Sequence, residues 1–581
     1  MKKILVLILL LAAAAGAAVY FVRSPDLVDN PTYYADYLPA DTLVTVSLLD
    51  LSGLADSFPG TPVGRLLAKT TVHDILTELG AEPADITGYD EIYDGIAGVM
   101  TNPAFRQVFG DDAVVALLPP DSTRLRTDTE DELQRSLLIF ATSSVSGPLE
   151  SFARLVMSRS VSSETVDGLE ITRIQLDEEV IYGYAENGTL VLAWNPSNIV
   201  AAVGRKRTGG GLRANDFFAA AEHFWSGFSG GRQYARSYVN IARLRTLLSR
   251  SEEKTARDAA DFLQGLKGMQ SIIVQQGNEL RITSRMEYDF ASLNGIFKHQ
   301  YQTLSEKNMS LGLLTRQALA YYWSCTLDRE FVREMLSAAE DAQYRKIDAE
   351  VHRELGMSLD EIITAVGPQS GLVVKEIVNG GLFPLPRVLF FLQIRDPAVA
   401  GKILEKVRQK IAERGFAAEQ SIQVNNHVIY YWSVLPGEAT QPALVLTDTM
   451  LYIANGKSSL ESLVAGDLSP DMLPADMANL LGPELVKNIE AANYSTLVMR
   501  PARLAEDIRE PLDWLTGLMS AADGLSLKTL KQELLKVMQA IDTVAVTSDL
   551  QQDHADSALV FKMAESLEKK KNSVQLPHKQ K

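Results

Sequence analysis

Apolar and polar positions follow two periods along this chain. Within Ala398–Arg414 the apolar residues Val399, Ile403, Leu404, Val407 and Ile411 recur at helical spacing, which predicts a helix burying one stripe. Elsewhere short apolar runs bounded by turn residues predict strands, among them Leu43–Ser47, Ala113–Leu118 and Met450–Ala454. Glu179–Ala185 and Thr189–Trp194 flank Glu186-Asn187-Gly188 and predict a hairpin, because Asn-Gly supplies the positive φ angles of a type I′ turn. Ser271–Gln275 and Glu279–Tyr288 flank Gln276-Gly277-Asn278 in the same manner. Hairpins outnumber strand–helix–strand crossovers. The predicted fold class is therefore α+β, a mainly antiparallel sheet with helices packed on one face.

The pattern is written twice. Phe109-Gly110-Asp111-Asp112 leads into an apolar run, as does Val366-Gly367-Pro368-Gln369. Arg135–Phe140 matches Arg387–Leu392, and each precedes a helical segment, Leu149–Met157 or Ala398–Arg414. Val166–Ile171 matches Val424–Ile429, Thr189–Trp194 matches Met450–Ala454, and Tyr238–Leu244 matches Leu497–Leu504. Most of these pairs hold an offset of roughly 257–261 residues, which predicts a tandem duplication. The expected organisation is a signal anchor over 1–25, a linker over 26–36, and α+β copies at 37–290 and 312–566. A polar connector (291–311) joins the copies, and a basic tail (567–581) follows them. The segments free to differ are Gly53–Gly110 and Glu330–Gly367, the first being longer.

The N-terminus sets the expected compartment. Lys2 and Lys3 precede an apolar or small run from Ile4 to Val22, then Arg23. Nineteen helical residues reach about 28 Å, close to the hydrocarbon thickness of a bilayer. Ala15-Gly16-Ala17 and Gly16-Ala17-Ala18 would suit a signal-peptide cleavage site, but the run continues through Val19-Tyr20-Phe21-Val22. A membrane anchor through residues 4–22, with the bulk of the chain exported, is the expectation. The alternative is release of the exported chain after cleavage.

Composition narrows the chemistry. With 56 Lys plus Arg against 73 Asp plus Glu the formal charge is −17, which disfavours nucleic acid as a partner. The single cysteine, Cys325, excludes internal disulfides and cysteine-rich metal modules. Gly456-Lys457-Ser458 follows a strand and precedes a helical run, the place of a phosphate loop. Leu451 stands where the leading glycine belongs, and the matching Trp194–Asn198 has no lysine, so a serine cap on a helix is expected. The histidines (His73, His223, His299, His352, His427, His554, His578) show no i, i+4 pair and no Glu-x-x-His partner. Asp128, Glu130, Asp131 and Glu132 read as a solvated loop, because Leu133 replaces the glycine a calcium loop needs. Arg205-Lys206-Arg207 before three glycines reads as a basic, flexible surface loop, and Cys325 as a small core residue in the strand Tyr321–Cys325. No catalytic, cofactor-binding or metal-binding residue emerges, and no cofactor is expected.

The mature part opens Tyr37-Leu38-Pro39-Ala40-Asp41-Thr42 before the strand Leu43–Ser47. In that opening behind an N-terminal anchor the chain resembles uncharacterised bacterial envelope proteins of the domain-of-unknown-function type. The second copy departs from it, with Leu314-Thr315-Arg316-Gln317 in the matching place. The resemblance implies a bacterial extracytoplasmic location, anchored in the inner membrane with the bulk of the chain in the periplasm or, after cleavage, secreted to the periplasm, and it carries no catalytic residue. The expected function is non-enzymatic: protein interaction or envelope scaffolding with an envelope protein partner, or, as the alternative, a carrier or sensor of an apolar ligand such as lipid.

Overall fold

The computed structural model describes residues 32–564 apart from 144–146, 157, 159, 177–178, 296, 299–305, 328–340, 380–383, 416, 436, 467–470 and 524–525. The anchor (4–22), the first residues of the linker and the basic tail lie outside the described residues. The chain is α+β. It forms two compact units, one built from residues up to 293 with 518–540, the other from 294–517 with 541–564.

Unit 1 has ten strands among its described residues: β1 Val44–Leu49, β2 Asp112–Leu117, β3 Leu137–Thr142, β4 Ser160–Val166, β5 Leu169–Gln175, β6 Val180–Glu186, β7 Thr189–Ala193, β8 Arg232–Val239, β9 Leu266–Gln276 and β10 Glu279–Tyr288. All pairings are antiparallel, in the order β10-β9-β8-β1-β2-β3-β7-β6-β5-β4. Unit 2 has ten as well: β11 Ala320–Cys325, β12 Val366–Asn379, β13 Pro384–Ile394, β14 Glu419–Val424, β15 His427–Trp432, β16 Ala443–Leu446, β17 Met450–Ala454, β18 Ser495–Met499, β19 Ile541–Leu550 and β20 His554–Met563. Their order, β20-β19-β18-β11-β12-β13-β17-β16-β15-β14, repeats that of unit 1 strand for strand. The tandem copies share one topology.

In each unit one sheet face carries the main core. In unit 1 Val114, Ala116, Leu138, Phe140, Val191 and Tyr238 pack with Ile199, Val203, Phe218 and Trp225. The last four lie on the helices Pro196–Thr208 and Asp216–Ser226. In unit 2 Tyr321, Trp323, Val373, Leu389, Phe391 and Tyr452 pack with Leu460, Met477, Leu485 and Ile489. These last belong to the helices Lys457–Ala465, Ala475–Leu481 and Pro483–Ala491. Gly371 is required here: a Cβ would stand 2.4 Å from the Phe391 ring and 2.0 Å from the Tyr322 carbonyl oxygen. At the margin of the other face a shorter helix takes cover. Leu149, on Pro148–Leu155, reaches the sheet at Gly183, where an added Cβ would lie 2.3 Å from its side chain.

The turns form as their chemistry dictates. Asn187 and Gly188 have φ of 51° and 78°, the type I′ pattern, and Gly277 has φ of 61° between β9 and β10. One alignment needs correction. Leu138 and Phe140 are buried in unit 1, Leu389 and Phe391 in unit 2, so β3 and β13 correspond at an offset of 251 residues. Aligning Arg135 with Arg387 is one residue out, because a continuous apolar run hides which side chains point inward.

Two segments differ from the sequence reading. Residues 518–540 lie in sequence within the second copy, yet they pack on unit 1. There Glu78 accepts hydrogen bonds from Thr529 N at 2.9 Å and Thr529 Oγ1 at 2.7 Å. The far end of the polar connector is built into unit 2. Asn308 Nδ2 donates to the Tyr321 hydroxyl at 2.9 Å, and Ser310 Oγ lies 2.8 Å from the same hydroxyl. Polarity there reflects a buried network rather than solvent.

Candidate functional site

Most residues singled out by their chemistry have definite structural partners among the described residues. Gly456, not a serine, caps the helix Lys457–Ala465, and no side chain bonds the free N–H groups there. Lys457 pairs with Glu461 at 3.4 Å and lies 4.9 Å over the Tyr431 ring. At the matching junction Asn195 accepts from Ser197 N at 3.2 Å, an ordinary cap.

The acidic run is a helix rather than a solvated loop. Asp128 caps Thr129–Arg135 by accepting from Asp131 N at 3.1 Å, and the remaining acids sit in the first turn, where the helix dipole favours them. Buried Glu132 accepts from Asp121 N at 2.7 Å. The basic stretch is also helical. Arg205, Lys206 and Arg207 form the last turn of Pro196–Thr208, ended by Gly209, with Lys206 4.5 Å over the Tyr37 ring. Cys325 is buried in β11, where desolvation pushes its thiol up to about 12. His223 is exposed on its helix, and His299 and His578 fall outside the described residues. Among the described residues no three His, Cys, Asp or Glu side chains gather as a metal site.

A cavity of about 390 Å³ is lined by Glu306, Lys307, Met309, Gln369 and Asp471. Gln369, Gln393 and Glu306 bond one another or their neighbours. Gln369 Oε1 accepts from Trp323 Nε1 at 3.0 Å and Met309 N at 2.9 Å, while Gln369 Nε2 donates to Lys307 O at 2.8 Å. Gln393 Nε2 donates to Glu306 at 2.6 Å. Unit 1 places Asp112 at the position of Gln369, accepting from Thr142 N at 2.7 Å and Thr142 Oγ1 at 2.6 Å. The recurrence marks an architectural joint between neighbouring strands.

A further feature is the second face of the unit 2 sheet. Cross-strand pairing lines up Leu559, Val546, Leu497, Tyr322, Leu372, Phe390 and Ile453 in one row over seven strands. Beside it runs a ladder of serines, Ser557, Ser548, Ser495, Ser324 and Ser370, continued by Leu392 and Leu451. Neither row contains a charged residue. Tyr322, Phe390 and Ile453 remain 39%, 51% and 44% exposed among the described residues. They line a cleft of about 410 Å³ together with Ser370, Leu372, Leu392 and Leu451. The volume of the cleft falls within the range of small-ligand sites.

The sequence reading missed this face. Its trace was present in Leu389-Phe390-Phe391, where alternation fails because both faces of the strand are apolar. No helix among the described residues is long and apolar enough to cross a membrane.

No family model matches the chain, and no curated protein matches it either. Among solved structures it is similar to crystal form I of TP0453, at 12% identity and a TM-score of 0.23 over 46% of this chain and 82% of that one. Crystal form III of TP0453 gives 11% identity and a TM-score of 0.25 over 48% of this chain and 89% of that one. Likeness at that level carries no argument about what this chain does.

Proposed function

We propose that this chain is a non-enzymatic, membrane-anchored extracytoplasmic protein that holds an apolar ligand of the lipid class on the second face of unit 2. One observation carries the reading: the uncharged row Tyr322–Leu372–Phe390–Ile453 and the cleft of about 410 Å³ above it. An acyl chain requires apolar contact without hydrogen-bond partners, which this row supplies, and the serine ladder gives the cleft a neutral polar border. The apolar run 4–22 would keep the protein beside its source of lipid.

A second reading, docking of an envelope protein partner, draws on Trp514 and Leu515. They are 47% and 46% exposed on the helix Arg509–Asp523, and exposed tryptophans commonly anchor protein interfaces. The test is native mass spectrometry of the full chain released from detergent. Retained lipid that disappears in Phe390→Asp/Ile453→Asp supports the first reading. Lipid retained equally by that variant, with crosslinks in membranes from position 514 to one defined protein, favours the second.

A further inference from the structure

The two copies differ in charge at one corner of the sheet. Their backbones correspond there bond for bond. Thr42 N donates to Pro39 O at 3.1 Å and Ala318 N to Thr315 O at 2.9 Å; Asn240 N donates to Leu43 O at 2.7 Å and Arg500 N to Leu319 O at 2.9 Å. Unit 1 therefore places Ala40, Asp41, Asn240 and Arg243 where unit 2 places Arg316, Gln317, Arg500 and Arg503. Among these four positions of unit 1 the cation has its acid, Arg243 Nη2 lying 3.2 Å from Asp41. In unit 2 that acid is Gln317, and two further arginines have been added.

Arg500 Nη1 and Arg503 Nη1 both donate to the carbonyl oxygen of Arg316, at 2.7 and 2.8 Å. Two guanidiniums that share one neutral oxygen repel each other, at a cost that grows with burial. Arg500 is only 9% exposed, and its Nε has no hydrogen-bond partner. Burial pulls the Arg500 pKa down; Asp542 opposes it, Arg503 and Arg316 add to it, and Glu506 opposes it weakly. Neither carboxylate forms an ion pair with any of the three, and Asp542 is held by Thr543 Oγ1 at 3.0 Å.

We propose that Arg316, Arg500 and Arg503 form a site for a phosphate-type oxyanion. Tetrahedral oxyanions offer several acceptors to guanidinium forks and would relieve the mutual repulsion of the cluster. The inference is independent of the apolar face. Inorganic phosphate and the phosphate of a lipid headgroup share this chemistry.

The test is calorimetric titration of the detergent-solubilised full chain with inorganic phosphate, dihexanoyl phosphatidate and dihexanoyl phosphatidylcholine. Arg503→Gln and Arg316→Gln change half-exposed or exposed side chains; Arg243→Gln in unit 1 is the control, and circular dichroism checks folding. The expected result is saturable binding weakened at least tenfold by either unit 2 variant and unchanged by Arg243→Gln. Binding of phosphate itself identifies a free-anion site, whereas binding of phosphatidate alone identifies a headgroup site. Binding of none of the three, or binding that the unit 2 variants leave intact, overturns the proposal.

Discussion

Unit 1 and unit 2 share strand order and register, yet their second faces diverge. The row occupied in unit 2 by Leu559, Val546, Leu497, Tyr322, Leu372, Phe390 and Ile453 is Ser284, Ser271, Ser237, Val46, Val115, Ile139 and Leu192 in unit 1. Ser271 Oγ and Ser284 Oγ sit 2.9 Å apart, satisfying each other across the strands, and Leu192 is fully buried beside Leu149. Unit 2 replaces those serines with leucine and valine and leaves its aromatics exposed. Duplication preserved what the sheet needs to fold and released what the second face presents. Core packing constrains one face in both copies, and little in the fold itself constrains the other.

Adjacent residues on opposite faces separate the two roles. Phe391→Ala in unit 2 and Phe140→Ala in unit 1 should each cost about 3–5 kcal/mol, because both rings are buried in their cores. Phe390→Ala, one residue away, should cost less than about 1 kcal/mol while weakening ligand retention. Urea unfolding of the three variants checks this; a Phe390 cost matching that of Phe391 would break the assignment of faces.

The joint between neighbouring strands offers the next test. Gln369→Leu removes the partner of Trp323 Nε1, Met309 N and Lys307 O, and leaving buried groups unpaired should cost about 2–4 kcal/mol. The equivalent Asp112→Asn should act in the opposite direction at neutral pH. Burial holds the Asp112 carboxyl above its usual pKa, against two bonds from Thr142 that pull it down. Its contribution is therefore full below the unfolded pKa and is lost as pH rises through the folded one. Asp112→Asn should flatten the loss of the urea midpoint as pH rises above the ordinary aspartate range, and raise the midpoint at neutral pH. A steeper dependence would overturn that sign.

The smallest effect belongs to the strand–helix junction. Lys457→Ala removes one ion pair with Glu461 and the contact with Tyr431, and should shift stability by less than about 0.5 kcal/mol. Saturable ATP binding by the wild type, abolished in this variant, would set unit 2 apart from unit 1 in chemistry as well as in surface.

Much of the fold was legible because local chemistry enforces it. Asn187-Gly188 needs positive φ and obtains it in a hairpin, and the stripe of Ala398–Arg414 winds the helix Pro397–Arg414. Paired turns and apolar runs disclosed the duplication because each copy must rebuild the same core. What remained hidden depends on neighbours remote in sequence. The acids at 128–132 became a helix once Asp128 capped it, and residues 518–540 joined unit 1 through Glu78, far away in sequence.

The sequence by itself determined an α+β chain written twice, mainly antiparallel, with an apolar N-terminal run. Only the tertiary structure decided which side of each strand faces helices and which is left exposed. Period-two alternation vanishes wherever both faces are apolar, so Leu389-Phe390-Phe391 reads alike in either register. Pairing with Leu372 and Ile453 fixes Phe390 on the second face, and only that pairing gathers Tyr322, Leu372, Phe390 and Ile453 into one uncharged row.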